Sequence, residues 1–145
     1  MKRCILDTNA FSILMNDRIP EKWSRIWSEI RVGQRSLILI EPLVSEIYYK
    51  NVLRVGKKSA KDMIMWLKSL KKAEIHSLDD NDAMNAGAIK VDYSNYDLSL
   101  VDCFLLAIAR RYNALILTTD HSIRDAARNM KVEVNFLPHL NKDKI

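Results

Sequence analysis

The chain reads as an α/β domain built on a parallel sheet, and two observations carry that reading. Five apolar runs of strand length, at residues 3–6, 37–40, 73–78, 115–118 and 132–136, are separated by stretches with helical spacing. This alternation is the pattern of successive βαβ units. Glycine and proline number only three each, with no internal repeat, low-complexity tract or linker among 145 residues. The elements therefore belong to one domain, large enough to bury a hydrophobic core.

The bulk composition narrows the class. Hydrophobic residues make up 48% and charged residues 28%, the balance of a globular protein rather than a disordered one. The 23 basic and 18 acidic residues leave a formal charge of +5, which suits a polyanionic partner without requiring one. Cys4 and Cys103 sit in apolar surroundings and form no metal-type pair, as expected of small buried hydrophobes in a reducing compartment. No apolar window reaches the length of a membrane span. The first residues lead straight into a strand rather than a secretory-type apolar run, so the expected location is the cytoplasm.

Taken in order, the first run, Cys4-Ile5-Leu6, ends at Asp7-Thr8-Asn9. A short helix follows over residues 10–16, with Phe11, Leu14 and Met15 at helical spacing. A second helix spans 20–32, with Pro20 at its start and Gly33 just past its end. Its Trp23, Ile26, Trp27 and Ile30 fall at i, i+3, i+4 and i+7. That stripe is either core packing or, together with the helix around Tyr48 and Tyr49, a groove for a partner protein or a dimer face.

Strand 37–40 leads through Glu41 and Pro42 into a helix over residues 43–49 that carries Glu46. The next helix, 57–72, buries Ala60, Met63, Ile64, Leu67 and Leu70 on one face. The other face bears Lys57, Lys58, Lys61, Lys68, Lys71 and Lys72, either a solvated surface or a phosphate-tracking patch. After strand 73–78, Asp79 is placed to cap a helix over 80–91. Ser99 opens the most apolar helix, 100–112. Strand 115–118 ends at Thr119-Asp120, a short basic helix covers 123–130, strand 132–136 closes the set, and a polar tail follows Pro138.

Two strands thus end in an acid, Asp7 and Asp120. If those strands are neighbours, the direction of winding reverses between them, and both acids face the crevice where α/β sheets collect ligands. Asp102 is a third acid, in the first turn of the apolar helix, where Ser99-Leu100-Val101-Asp102 also fits a capping box. Glu46 is a fourth. Taken singly, each has an ordinary structural explanation. As a set of acids without a matching His or Cys cluster, they describe a hard-cation site of the kind that holds Mg²⁺ or Mn²⁺. Without the cation such a cluster is self-repulsive, so at least one acid is expected to have a raised pKa.

Asp7-Thr8-Asn9 after the first strand, Glu46 after the second, Ser99 to Asp102 opening an apolar helix, and Thr118-Thr119-Asp120 after the fourth together resemble the PIN-domain nucleases. Within that family the size and layout look most like the VapC toxins of VapBC toxin–antitoxin pairs. The resemblance covers residues 2 to about 136. It implies a three-layer α/β/α fold with a five-stranded parallel sheet of order 3-2-1-4-5, and Mg²⁺- or Mn²⁺-dependent endoribonuclease activity. Carried over by position, Asp7, Glu46, Asp102 and Asp120 become the metal-binding catalytic acids. Asn9 and Thr118 become polar supports for Asp7 or bound waters. Arg124, Lys57, Lys58 and Lys61 are candidates for gripping RNA, and the expected partners are RNA, an antitoxin protein and a second copy of the chain.

One departure from the family stands out. Where many members carry a further Asp or Asn two residues beyond the last acid, and usually a Phe after it, this chain has Ser122 and Ile123. A second metal would be held weakly, or only with substrate present, with Asp125 as a substitute ligand or else an ordinary surface acid. Two other readings share the fold: a stand-alone PIN nuclease in RNA processing or decay, and a catalytically silent PIN-like binding module. A haloacid-dehalogenase-like phosphatase needs a second Asp where Asn9 stands. His76, His121 and His139 are scattered without metal-ligand spacing, and there is neither a Gly-rich phosphate loop nor a nucleophile elbow.

Overall fold

A computed structural model describes residues 2–15 and 19–138. The elements run β1 (Arg3–Leu6), α1 (Thr8–Leu14), α2 (Glu21–Arg31), β2 (Ser36–Leu39), α3 (Glu41–Val55), α4 (Lys57–Lys68), β3 (Ala73–Ile75), α5 (Asp80–Asp92), α6 (Leu100–Tyr112), β4 (Leu115–Thr118), α7 (His121–Asn129) and β5 (Val134–Phe136). The strands form one sheet of order β3-β2-β1-β4-β5, and every neighbouring pair is parallel. Right-handed crossovers then assign α1 to α4 to one face and α5 to α7 to the other. The result is the three-layer α/β/α arrangement with the expected strand order.

The central strands are buried along their whole length apart from Arg3, whereas the edge strands β3 and β5 are short and partly exposed. That is how a parallel sheet covered on both faces is expected to look. On one face α1 packs against β1 and β4; on the other α6 lies over β1 and pairs along its length with α5. The winding reverses between β1 and β4, whose register pairs Leu6 with Leu117. The ladder continues one residue further, because the Asp7 amide donates to the Leu117 carbonyl at 3.2 Å. This brings the acidic ends of the two strands side by side.

The stripe on α2 is core. Trp23, Ile26, Trp27 and Ile30 are 1%, 7%, 4% and 1% exposed, so these residues offer no groove or dimer face. The Trp23 indole N–H donates to Asn135 Oδ1 at 3.0 Å, which satisfies its one polar atom on burial. Tyr48 and Tyr49 on α3 do face outward. Gly33 follows α2 at φ +80°, a left-handed conformation that calls for glycine.

Several boundaries differ from expectation for local reasons. The helix expected over 57–72 stops at Lys68: Ser69 caps it, its hydroxyl bonding the Trp66 carbonyl at 2.6 Å. Lys71 and Lys72 therefore lie in the following turn, outside the lysine face. The strand expected over 73–78 ends at Ile75: the His76 amide makes a last bond to the Leu39 carbonyl at 2.9 Å, and the His76 side chain and the Asp79 amide then turn to α5 and α6. The last strand begins at Val134 rather than 132: Lys131 adopts φ +60° and the Val132 amide returns to the Ala127 carbonyl to finish α7. The α7 helix starts at His121 because Asp120 caps it, and α1 starts at Thr8 because Asp7 does. The expected end of the first helix at Asn16, the polar tail and His139 lie outside the described residues.

Candidate active site

Three of the four acids are placed by the way a helix begins. Asp7 ends β1 and caps α1, with Oδ1 accepting the Ala10 amide at 2.6 Å. Its Oδ2 accepts the Thr118 hydroxyl from the end of β4. The same hydroxyl oxygen accepts the Asp120 amide at 3.0 Å, so Thr118 ties the two strand-end acids together. Asp120 in turn caps α7, its Oδ1 accepting the Ser122 and Ile123 amides at 2.7 and 3.1 Å.

Asp102 completes the capping box of α6. Its Oδ2 accepts the Ser99 amide at 2.9 Å, and its own amide donates to the Ser99 hydroxyl at 3.1 Å. Glu46, on α3, accepts the Thr8 hydroxyl on Oε1 at 2.5 Å, with the Lys50 ammonium 3.5 Å from the same oxygen. The capping explanation and the site explanation therefore coexist. Each cap consumes one oxygen of Asp102 and Asp120, leaving Asp102 Oδ1, Asp120 Oδ2 and Glu46 Oε2 without partners among the described residues.

The electrostatics show that these groups share one region. Burial raises Asp7 to about 6, against the pull of its bonds to Thr118 and Ala10 and with the negative charges of Asp102 and Asp120 adding to the rise. Asp102 is also raised, by burial first and then by Asp120 and Glu46, against the bonds within its capping box. Asp7 is only 6% exposed. A carboxylate buried in that way is stabilised by a cation.

No group of three or more Asp, Glu, His or Cys side chains among the described residues is spaced to hold a metal ion as it stands. The donor set nevertheless suits one. It is all oxygen, it keeps at least three carboxylate oxygens free among the described residues, and next to Asp120 the buried Thr119 hydroxyl has no hydrogen-bond partner among them either. A small hard cation that retains several waters takes such ligands partly directly and partly through water.

The remaining expected residues divide. Thr118 supports Asp7, whereas Asn9 stands exposed on α1 and makes no hydrogen bond to Asp7. Ser122 contributes its backbone amide to Asp120. Arg124 lies a turn beyond Asp120, with its guanidinium 4.4 Å from the Phe136 ring centre and its Nε donating to Asp125 at 2.9 Å. Asp125 is thus the ion-pair partner of Arg124 and is held below the usual carboxylate range by that bond. Lys57, Lys58 and Lys61 are exposed on α4. Two residues escaped sequence reading. Thr8, inside the first motif, orients Glu46 across 38 positions of sequence, and among the described residues Thr119 is the one with a buried side-chain oxygen that has no hydrogen-bond partner.

Residues 4–129 match the PIN domain family, and the chain belongs to it. Its structural neighbours are more particular. A chain of VapBC2 from Rickettsia felis, solved bound to a DNA fragment from the promoter, superposes with a TM-score of 0.71 at 14% identity, over 93% of this chain and 98% of that one. FitAcB from Neisseria gonorrhoeae gives 0.67 at 21% identity, over 94% and 99%. A toxin–antitoxin complex from Klebsiella pneumoniae gives 0.53 at 17% identity, over 81% and 86%. None of the curated proteins searched matches this sequence. Among the described residues no helix is long and apolar enough to cross a membrane.

Proposed function

We propose that this protein is a Mg²⁺- or Mn²⁺-dependent endoribonuclease and the toxin member of a VapBC-type toxin–antitoxin pair. What supports the reading is geometric: Asp7 and Asp120 end neighbouring parallel strands and are tied through Thr118, Asp102 lies in the first turn of α6, and Glu46 is held by Thr8, the residue next to Asp7. In this reading Asp7 and Asp120 hold the principal metal. Asp102 completes its shell directly or through water, and Glu46 completes the shell or steers the attacking water. When bound, the metal orients water and neutralises the charge that builds on a phosphodiester.

The chain's own groups account for the rest of the chemistry. Thr118 fixes Asp7 and the Asp120 backbone in one frame, and Thr8 fixes Glu46 with its second oxygen directed away from the bond. Water attacks phosphorus in line, the bond to the 3′ oxygen breaks, that oxygen gains a proton, and the products are a 3′-hydroxyl and a 5′-phosphate. Arg124 and the α4 lysines Lys57, Lys58 and Lys61 contribute charge for the RNA backbone. An antitoxin partner follows by analogy with the neighbouring complexes, and Tyr48 and Tyr49 offer an outward aromatic surface for it or for a second copy. The cytoplasm is the compartment that fits a reduced Cys4 and Cys103.

The test is RNA cleavage by purified protein with Mg²⁺ or Mn²⁺, compared with Asp7→Asn. Cleavage that needs the metal and is lost in the variant, with circular dichroism unchanged, supports the reading. Cleavage retained by Asp7→Asn overturns it.

A further inference from the structure

We infer that His121, pinned against Phe136 and flanked by Arg124, is a stacking platform for an unpaired nucleobase of single-stranded RNA beside the carboxylates; this rests on the nuclease reading above. His121 directly follows Asp120 and is exposed. Its ring centre lies 4.9 Å from that of Phe136 with the planes tilted by 51°. Phe136 also carries the Arg124 guanidinium at 4.4 Å. Both side chains are thus held by one aromatic ring on the edge strand β5.

That ring has a defined relation to the acids. Phe136 is in register with Thr118 across the β4–β5 pair, one strand spacing of about 4.8 Å away, and Thr118 is the residue that bonds Asp7. The platform therefore stands at the level of the carboxylates and one strand further out. Asp125 holds Arg124 through Nε alone, which leaves both terminal nitrogens of the guanidinium without partners among the described residues. Those nitrogens suit a pair of phosphate oxygens.

The chemistry selects the ligand. Unstacked bases in single-stranded RNA pack on His, Phe, Tyr or Trp rings and on Arg planes. An imidazole already fixed by Phe136 loses little rotamer freedom when a base lands on it. The His121 imidazole makes no hydrogen bond among the described residues and is exposed. Its free ring face is what it offers. Stacking tolerates any base, so the platform would set the position of the strand rather than its sequence.

The experiment uses the full chain carrying Asp7→Asn, in EDTA, with single-stranded RNA decamers that contain 2-aminopurine at each position in turn. One position is expected to change fluorescence on binding. Adding His121→Ala is expected to abolish that change and weaken binding by roughly five- to a hundred-fold, while His121→Phe restores both and His121→Gln does not. In the otherwise native protein, His121→Ala is expected to raise KM more than it lowers kcat. Unchanged fluorescence and KM in His121→Ala, rescue by Gln but not Phe, or no RNA binding at all would overturn the proposal. If native protein with Mg²⁺ or Mn²⁺ cleaves no RNA while the fluorescence pattern holds, the nuclease reading fails and the platform stands.

Discussion

Replacing Asp7 by Asn is expected to stabilise the protein at neutral pH when no divalent ion is present, although it removes the acid on which cleavage is proposed to depend. Asp7 is raised from 3.8 to about 6 in the fold. The native state therefore binds this proton more tightly than the unfolded chain does. Below about pH 3.8 the group is protonated in both states and costs nothing. As pH rises from there to 6 the unfolded chain releases its proton first, and the fold loses stability across that window. Above 6 the cost is constant. A shift of about 2 units corresponds to roughly 3 kcal/mol.

Not all of that is recovered by substitution. Asn caps a helix as well as Asp does, but its amide presents N–H₂ where Oδ2 now accepts the Thr118 hydroxyl, at a cost of about 1 kcal/mol. The net gain is then about 2 kcal/mol, or roughly 4–8 °C in Tm for a chain of this size. Thermal unfolding followed by circular dichroism in EDTA, at intervals from pH 4 to pH 7.5, measures it. Asp7→Asn should gain on the native protein as pH rises, and at pH 4 the gain should be absent or reversed. Added Mn²⁺ should raise the native Tm by mass action and leave the variant unmoved. A variant that is destabilised equally at both ends of the range would refute the repulsive-cluster argument.

Two further outcomes follow from the same geometry. Thr8→Val removes the 2.5 Å bond that orients Glu46 while keeping the side-chain shape; kcat for RNA cleavage should fall about ten-fold with Tm within a few degrees of native, and Thr8→Ser should restore it. Asp82 behaves oppositely to Asp7: burial works against its charge, but bonds from the Asp79 amide, His76 and Arg111 hold it down to about 2. It therefore contributes stability that is present above about pH 3.8 and lost as pH falls through 2, so Asp82→Asn should lower Tm at pH 7 and matter least near pH 2.

Much of the frame was legible because it is written locally. The capping box from Ser99 to Asp102, the Asp79 cap and the extents of β1, α6 and β4 depend on residues within a few positions of one another, and the structure returns them as read. The misread boundaries were also local in cause, but the cause was a competing partner: Ser69 for the end of α4, Lys131 for the start of β5, the His76–Asp82 bond for the end of β3. Whether the Trp23 stripe faced the core or a partner could not be decided from period alone, since both uses have the same spacing. Its indole partner, Asn135, lies 112 residues away.

The site divides along the same line. The four acids could be singled out because each sits at a strand end or in the first turns of a helix, where sequence position and fold position coincide. Of the residues that orient them, Thr118 was named as a support through the family resemblance, whereas Thr8 was not. Thr8 and Glu46 are 38 positions apart, and Thr118 and Asp7 are 111 apart. Only the order of strands brings them together. Of the two supports expected for Asp7, Thr118 bonds it, whereas Asn9 in the first turn of α1 is exposed and makes no bond to it.

The central claim is that the four acids close around a divalent cation. Crystals of the native protein soaked in Mn²⁺ and measured for anomalous scattering test it most directly. The account predicts a Mn²⁺ peak held by Asp7 and Asp120, with Asp102 and Glu46 bound directly or through water. A peak elsewhere, or none at saturating Mn²⁺ with all four carboxylates in well-defined density, would contradict it.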